Sequence, residues 1–244
     1  MCYNIAFLEK RLGKYTERYN NVIPPDWSDK NTNKELPVYY FVSGFSNPQL
    51  PIIKHDGISM YEWGLIPFWT KNAQFANDIK SKTLNAVGET VFEKPSYKNS
   101  VRSKRCLLGV NGFYEWHTYN NTKYPFFIKT KGNKIFSLGC IYESWTDKET
   151  GEVKNTFSII TTPANSLMEK LHNVKKRMPL IISAENEHKW INPELNPQQI
   201  KDLIKPYDQS DMTAYPVSRD LNYAKKERNT PDALEKVDYP ELRH

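Results

Sequence analysis

Short apolar runs set off by polar, Pro-rich and Asn-rich stretches recur along the chain, and their lengths predict strands more often than helices. Residues 1–7 read as a first strand. Residues 8–19 are polar with scattered aromatics and fit a helix weakened by Gly13. Residues 20–37 are rich in Asn, Asp and Pro and read as loop. Further strands are predicted over 38–42, 58–63, 106–110, 113–119 and 156–161. The runs 124–129 and 134–142 flank Thr130-Lys131-Gly132-Asn133, a hairpin signal. Helices are predicted over 73–81 and 96–105. Thr162-Pro163 and Asn196-Pro197 each place a capping side chain before a Pro at the first helical position, and Ser183 can cap 184–190. Many short strands with small helices between and after them predict an α+β fold: a mostly antiparallel, barrel-like β-sheet with short peripheral helices, in one domain over 1–244.

Composition changes this picture little. Of 244 residues, 39% are hydrophobic and 13% aromatic, with 15 Tyr and 6 Trp, which suits strands and a sizeable core. No apolar run nears the ~18–20 residues that span a bilayer. The start shows no charged-then-apolar leader, so a soluble, cytoplasmic protein with no membrane partner is expected. Three Cys, at 2, 106 and 140, are too few and too scattered for a disulfide framework or a zinc site, and Cys106 and Cys140 sit in apolar runs as core residues would. The His lack metal-ligand spacing, so neither a metal nor a cofactor is implied. Net charge is +6 with a pI near 9.0, which agrees with a polyanionic partner without requiring one. The charge is clustered at Arg102-Ser103-Lys104-Arg105, Lys175-Lys176-Arg177 and Lys225-Lys226-Glu227-Arg228. Each cluster also reads as a solvated face.

Candidate chemistry begins at Met1-Cys2. A small second residue permits removal of the initiator Met, which leaves Cys2 with a free α-amine beside its thiol. Such a 1,2-aminothiol condenses with an aldehyde to an imine and closes to a thiazolidine. The amine's reference pKa near ~7.7–8.0 and the thiol's near ~8.5 put both reactive forms close to neutrality. The alternative is a small buried residue in a first strand. Glu115, in Gly112-Phe113-Tyr114-Glu115-Trp116, is flanked by aromatics that can desolvate it and raise its pKa, which suits proton transfer; otherwise it is an outward-facing strand residue. His172 stands before the basic cluster 175–177, as a proton shuttle or a structural His, and the cluster itself can hold a phosphate. Asn85 offers donors and an acceptor that can orient an amine and an oxygen, or simply forms a turn. Phe68-Trp69 can stack on bases or close a core corner.

In order, Met1-Cys2, 63–69, Asn85-Ala86 with Glu89-Thr90, 105–116, His172 with Arg177-Met178-Pro179, and Pro216-Val217-Ser218 with Asn222 resemble the SOS-response-associated peptidase (SRAP) family. Its members sense abasic sites in single-stranded DNA and crosslink to them. The resemblance implies Cys2 as the nucleophile, Asn85 positioning the Cys2 amine and the sugar, and Glu115 managing protons. It implies His172 as acid on the sugar's ring oxygen, Arg105 and Arg177 on flanking phosphates, and Phe68-Trp69 supporting the bent strand. The partner implied is single-stranded DNA containing abasic sites, bound by a monomer. The peptidase label fits self-removal of Met1. The chain departs from the family at Tyr3-Asn4, where Gly-Arg is usual, and at Val87, where an Arg is usual; that phosphate contact is expected to be lost or to be supplied by Arg102 or Lys104. The family's usual Asn-Val-Ala-Pro loop is altered to Phe41-Val42-Ser43-Gly44, and the spacing from His172 to Arg177 is longer than usual. A cysteine peptidase or N-terminal-nucleophile hydrolase using Cys2 with His172, and a non-catalytic module binding single-stranded DNA, are the competing readings. The first reading expects an exposed amine and sulfur in a positively charged cleft.

Overall fold

The computed structural model describes residues 2–20, 22, 34–132 and 134–242; most of the predicted loop over 20–37 lies outside them. In chain order the regular elements are β1 (Asn4–Phe7), α1 (Leu12–Arg18), β2 (Tyr39–Ser43), β3 (Gln49–Lys54), β4 (Gly57–Trp63), α2 (Ala73–Lys80) and β5 (Asn85–Val87). Then come α3 (Ser100–Ser103), β6 (Arg105–Val110), β7 (Gly112–Tyr119), β8 (Thr122–Thr130), β9 (Phe136–Thr146) and β10 (Val153–Pro163). The chain continues through α4 (Ser166–Leu171), β11 (Arg177–Pro179), β12 (Ile181–Ile182), α5 (Glu187–Ile191), α6 (Pro197–Leu203) and β13 (Met212–Pro216).

Strands β4, β3, β6, β9 and β10 pair in that order, and β10 returns to β4, closing a barrel. The closing β10–β4 pair is parallel; β3, β6 and β9 pair antiparallel with their neighbours. Strands β5, β11 and β12 attach outside this ring. A second, antiparallel sheet runs β13-β8-β7-β1-β2. The predicted α+β barrel with short helices is thus present. Closure removes free sheet edges, and β6 is buried at every position because both of its faces are covered. The second sheet alternates with a period of two. Ile5, Phe113 and Ile128 join the main core, while Ala6, Tyr114 and Phe127 form a second core with Val217, Leu221 and Ala233 from the C-terminal segment. Among the described residues no helix is long and apolar enough to cross a membrane.

Several expectations fail for identifiable reasons. The runs flanking 130–133 do become strands, but β8 and β9 lie in different sheets and do not pair. The hairpin is β7–β8, closed by Asn120-Asn121 with both φ positive (46° and 59°), as a type I′ turn requires. Strand β3 contains Pro51 and is missing from the sequence prediction. The Pro51 carbonyl accepts from the Tyr15 hydroxyl at 3.1 Å, so this residue's backbone groups face away from β4 and the absent N–H takes nothing from that ladder. Thr162-Pro163 ends β10; the cap of α4 is Asn165, which accepts from Met168 N at 2.9 Å. Ser183 makes no cap bond, and of 96–105 only Ser100–Ser103 is α-helical. Asn196 does cap α6, in a reciprocal capping box with Gln199.

Candidate functional site

A cleft of about 550 Å³ opens where the start of β1, the middle of β7 and the turn after α4 converge, with Tyr3, Glu115, Trp116, His172 and Lys175 in its wall. Strands β1 and β7 run antiparallel with Asn4 opposite Tyr114, so continuing that register by one residue brings Tyr3 beside Glu115. His172 is the C-cap of α4, and its amide donates to the Met168 carbonyl at 2.7 Å. The following residues fold back at once. Lys176 adopts a left-handed φ of 49°, and its amide donates to the His172 carbonyl at 2.9 Å. Asn173 clamps this turn to β7 by accepting from Thr118 N at 3.0 Å and donating to Thr118 O at 2.8 Å. The longer spacing between His172 and Arg177 is therefore an ordered arm fixed to the strand that carries Glu115.

His172 Nδ1 lies 3.4 Å from Glu115 Oε2, with both side chains buried. Burial pushes the Glu115 carboxyl up to about 8, against the pull of nearby positive charge that includes Lys175. Burial likewise pulls the His172 imidazole down to about 4, with Lys175 adding to the effect. Near neutral pH the contact therefore joins a protonated carboxyl to a neutral imidazole and is not an ion pair. His172 Nδ1 also lies 3.0 Å from the Arg177 carbonyl. A carbonyl only accepts, so Nδ1 carries the hydrogen and Nε2 keeps its lone pair.

Cys2 is 0% exposed and packs in the main core, so the expected exposed sulfur is absent while the chain carries Met1. Burial pushes its thiol well up, and a negative charge on Glu115 pushes it further. Asn85 enters from β5, which pairs with β10 outside the barrel. Its carbonyl accepts from the Tyr97 hydroxyl at 3.1 Å, yet neither atom of its buried side-chain amide has a hydrogen-bond partner among the described residues. A buried amide left in that state is disfavoured by roughly 1–3 kcal/mol, which singles the residue out.

Of the predicted phosphate residues, Arg105 is buried, and Arg177 and Lys104 are engaged by carboxylates. Arg105 is 1% exposed. Its guanidinium donates to the carbonyls of Val101 and Arg102 at the end of α3 and of Trp190 and Asn192 at the end of α5. It closes two helix C-termini, whose last carbonyls have no partner within the helix, and cannot grip DNA. Arg177 is held by Glu89 and by the carbonyl and hydroxyl of Thr161. Lys104 pairs with Glu143. Arg102 lies 5.6 Å over the Phe92 ring, exposed to solvent. Phe68 and Trp69 form an aromatic ledge, 54% and 39% exposed, over a second hollow lined by Pro95 and Lys98. Tyr3, Trp116 and Asn173 were not among the sequence candidates. Trp116 shares a motif with Glu115, and its indole N–H donates to Asn222 Oδ1 at 2.6 Å. Asn173 shows in the sequence only as part of the lengthened spacing.

Residues 1–224 match the sequence model of a family described as SOS response associated peptidase (SRAP). The abasic site processing protein YoqW of Bacillus subtilis is 42% identical over 183 residues, covering 74% of this chain and 77% of that protein. The abasic site processing protein HMCES of Xenopus tropicalis is 27% identical over 239 residues, covering 86% and 69%. A crystal structure of a protein from Bacteroides thetaiotaomicron superposes with a TM-score of 0.87 at 38% identity, covering 97% of this chain and 100% of the other.

Proposed function

The chain belongs to the SOS response associated peptidase family, and on that premise we propose that it processes abasic sites in single-stranded DNA by forming a thiazolidine between Cys2, freed of Met1, and the ring-opened sugar aldehyde. The name carried by relatives such as YoqW gives the substrate class. What supports the chemistry most is the buried Glu115 carboxyl, held protonated near neutral pH and 3.4 Å from a neutral His172.

The steps follow from these states. The Cys2 amine adds to the aldehyde carbon to give a carbinolamine. Glu115 gives its proton to the departing hydroxyl, water leaves, and the carboxylate takes the proton from nitrogen as the imine forms. The thiol then adds across the imine, carbon gaining sulfur and nitrogen gaining the hydrogen. One water is lost overall. Because ring closure is intramolecular, the thiol needs to reach only the carbon already bound to its own amine, so a sulfur shielded from solvent is compatible with the step. Asn85, whose buried amide has no partner among the described residues, orients the amine and the sugar oxygen. His172 starts without the proton it would hand to the ring oxygen; a phosphodiester entering the cleft favours its charged form, so its acid role depends on bound DNA.

The same burial disfavours an ordinary cysteine peptidase, which needs a thiolate at neutral pH, whereas the Cys2 thiol is pushed up. Protein shown by intact mass to lack Met1, mixed with an oligonucleotide bearing an abasic site, is expected to give a product that survives denaturing electrophoresis. Its mass is the sum of the two minus one water, and Cys2→Ala abolishes it. Fully processed protein that yields no such product would sink the proposal.

A further inference from the structure

Two arginines with a sequence claim to the DNA backbone are occupied, one by helix carbonyls and one by Glu89. Yet the cleft is lined by Lys123, Lys175 and Arg228, and the one carboxyl in its wall among the described residues, Glu115, is held neutral. Among the described residues Lys175 has no carboxylate partner; its ammonium lies 6.0 Å over the Tyr3 ring. It stands on the arm that Asn173 clamps to Thr118 at 3.0 and 2.8 Å and that Lys176 closes with its left-handed turn. A cation on a free loop would lose much of its attraction to the entropy of ordering. Here the strand contacts have fixed the backbone beforehand.

We propose that the arm 173–176 is a phosphate-binding device, in which Lys175 receives the phosphodiester adjoining the damaged sugar and so holds that sugar against Glu115 and His172. This rests on the function proposed above but names a residue outside those the sequence resemblance assigns. It explains how the site keeps a backbone contact when Arg105 and Arg177 are engaged. It also couples binding to chemistry. The Lys175 charge helps hold His172 down and opposes the rise at Glu115. A phosphate that neutralises it therefore lets the imidazole take up a proton at the moment the substrate arrives.

The test uses the Met1-processed protein, its Lys175→Ala, Lys175→Arg and Asn173→Ala variants, and an intact single strand alongside the abasic one. Binding of the intact strand is followed by anisotropy across a potassium chloride series. Removing one phosphate contact should lower the slope of log affinity against log salt by about 0.7. Lys175→Arg should restore the slope, and Asn173→Ala should lose part of it. In Lys175→Ala the alkaline limb of crosslinking should also move to higher pH, because the charge that opposes the rise at Glu115 is gone. A slope unchanged in Lys175→Ala, with crosslinking intact, overturns this proposal and leaves the function standing. A lowered slope with no crosslink from any variant, wild type included, would instead keep the phosphate contact and remove the thiazolidine chemistry. A wild-type protein whose affinity for the strand ignores salt overturns the phosphate contact outright.

Discussion

Glu115 and His172 each hold the less charged of their two states, which costs stability above pH 4.5 for Glu115 and below pH 6.5 for His172. The folded Glu115 carboxyl titrates near 8 against an ordinary 4.5, so the folded chain binds the extra proton. Its contribution to stability is complete below 4.5 and is lost as pH rises through 8. His172 runs the other way: its contribution is present above 6.5 and lost as pH falls through 4. Glu115→Gln should therefore raise the denaturation midpoint above pH 8 and have little effect below 4.5, as a melting series across pH would show. The same variant has no proton to give. Crosslinking should slow by roughly 10²–10⁴-fold, and the alkaline limb near pH 8 should vanish from what remains. Unaltered rate and limb would take Glu115 out of the mechanism. Asn85 belongs with this pair as a residue whose placement suits function over stability. Asn85→Ala removes a buried amide with no partner among the described residues, so chemical denaturation should find stability within about 1 kcal/mol of wild type or above it, while crosslinking falls.

Arg105 belongs to the scale of elements, because its guanidinium fastens the ends of α3 and α5 to the first residue of β6. Arg105→Met strands several buried carbonyls and should cost roughly 3 kcal/mol or more in urea unfolding, with the salt slope of DNA binding unchanged in whatever remains folded. A variant of normal stability and reduced slope would return Arg105 to the DNA surface. This residue also shows where sequence reading stops. A cluster such as Arg102-Ser103-Lys104-Arg105 reads as exposed charge, and nothing within it signals that carbonyls 85 and 87 positions away will enclose its last member. Elements fixed by local chemistry were legible: the capped α6, the helix over Ala73–Lys80, and the strands of alternating or wholly apolar residues. Those fixed by long-range pairing were not. The turn over 130–133 resembles a hairpin locally, but its flanking strands find partners in different sheets, and Pro51 breaks β3 only on paper. Of the site, Glu115 and His172 could be named from their aromatic and basic neighbours. The clamp of Asn173 on Thr118 spans 55 positions and was out of reach.

At the scale of the whole molecule, two sheets share one core, and the cleft sits at their meeting. The start of β1 and the middle of β7 come from the open sheet, while the turn behind His172 hangs on β11, outside the barrel. This places the amino-terminal residues between layers. All three sulfhydryl groups, on Cys2, Cys106 and Cys140, are fully enclosed there, and burial suppresses the ionisation of Cys2 and Cys140. Peroxide, glutathione disulfide and alkylating drugs all attack the ionised, accessible form. Native protein still bearing Met1 should therefore be silent to Ellman's reagent and release its three equivalents only in denaturant. Prompt colour from the native chain would contradict this. A thiol kept out of reach of an oxidant stays reduced.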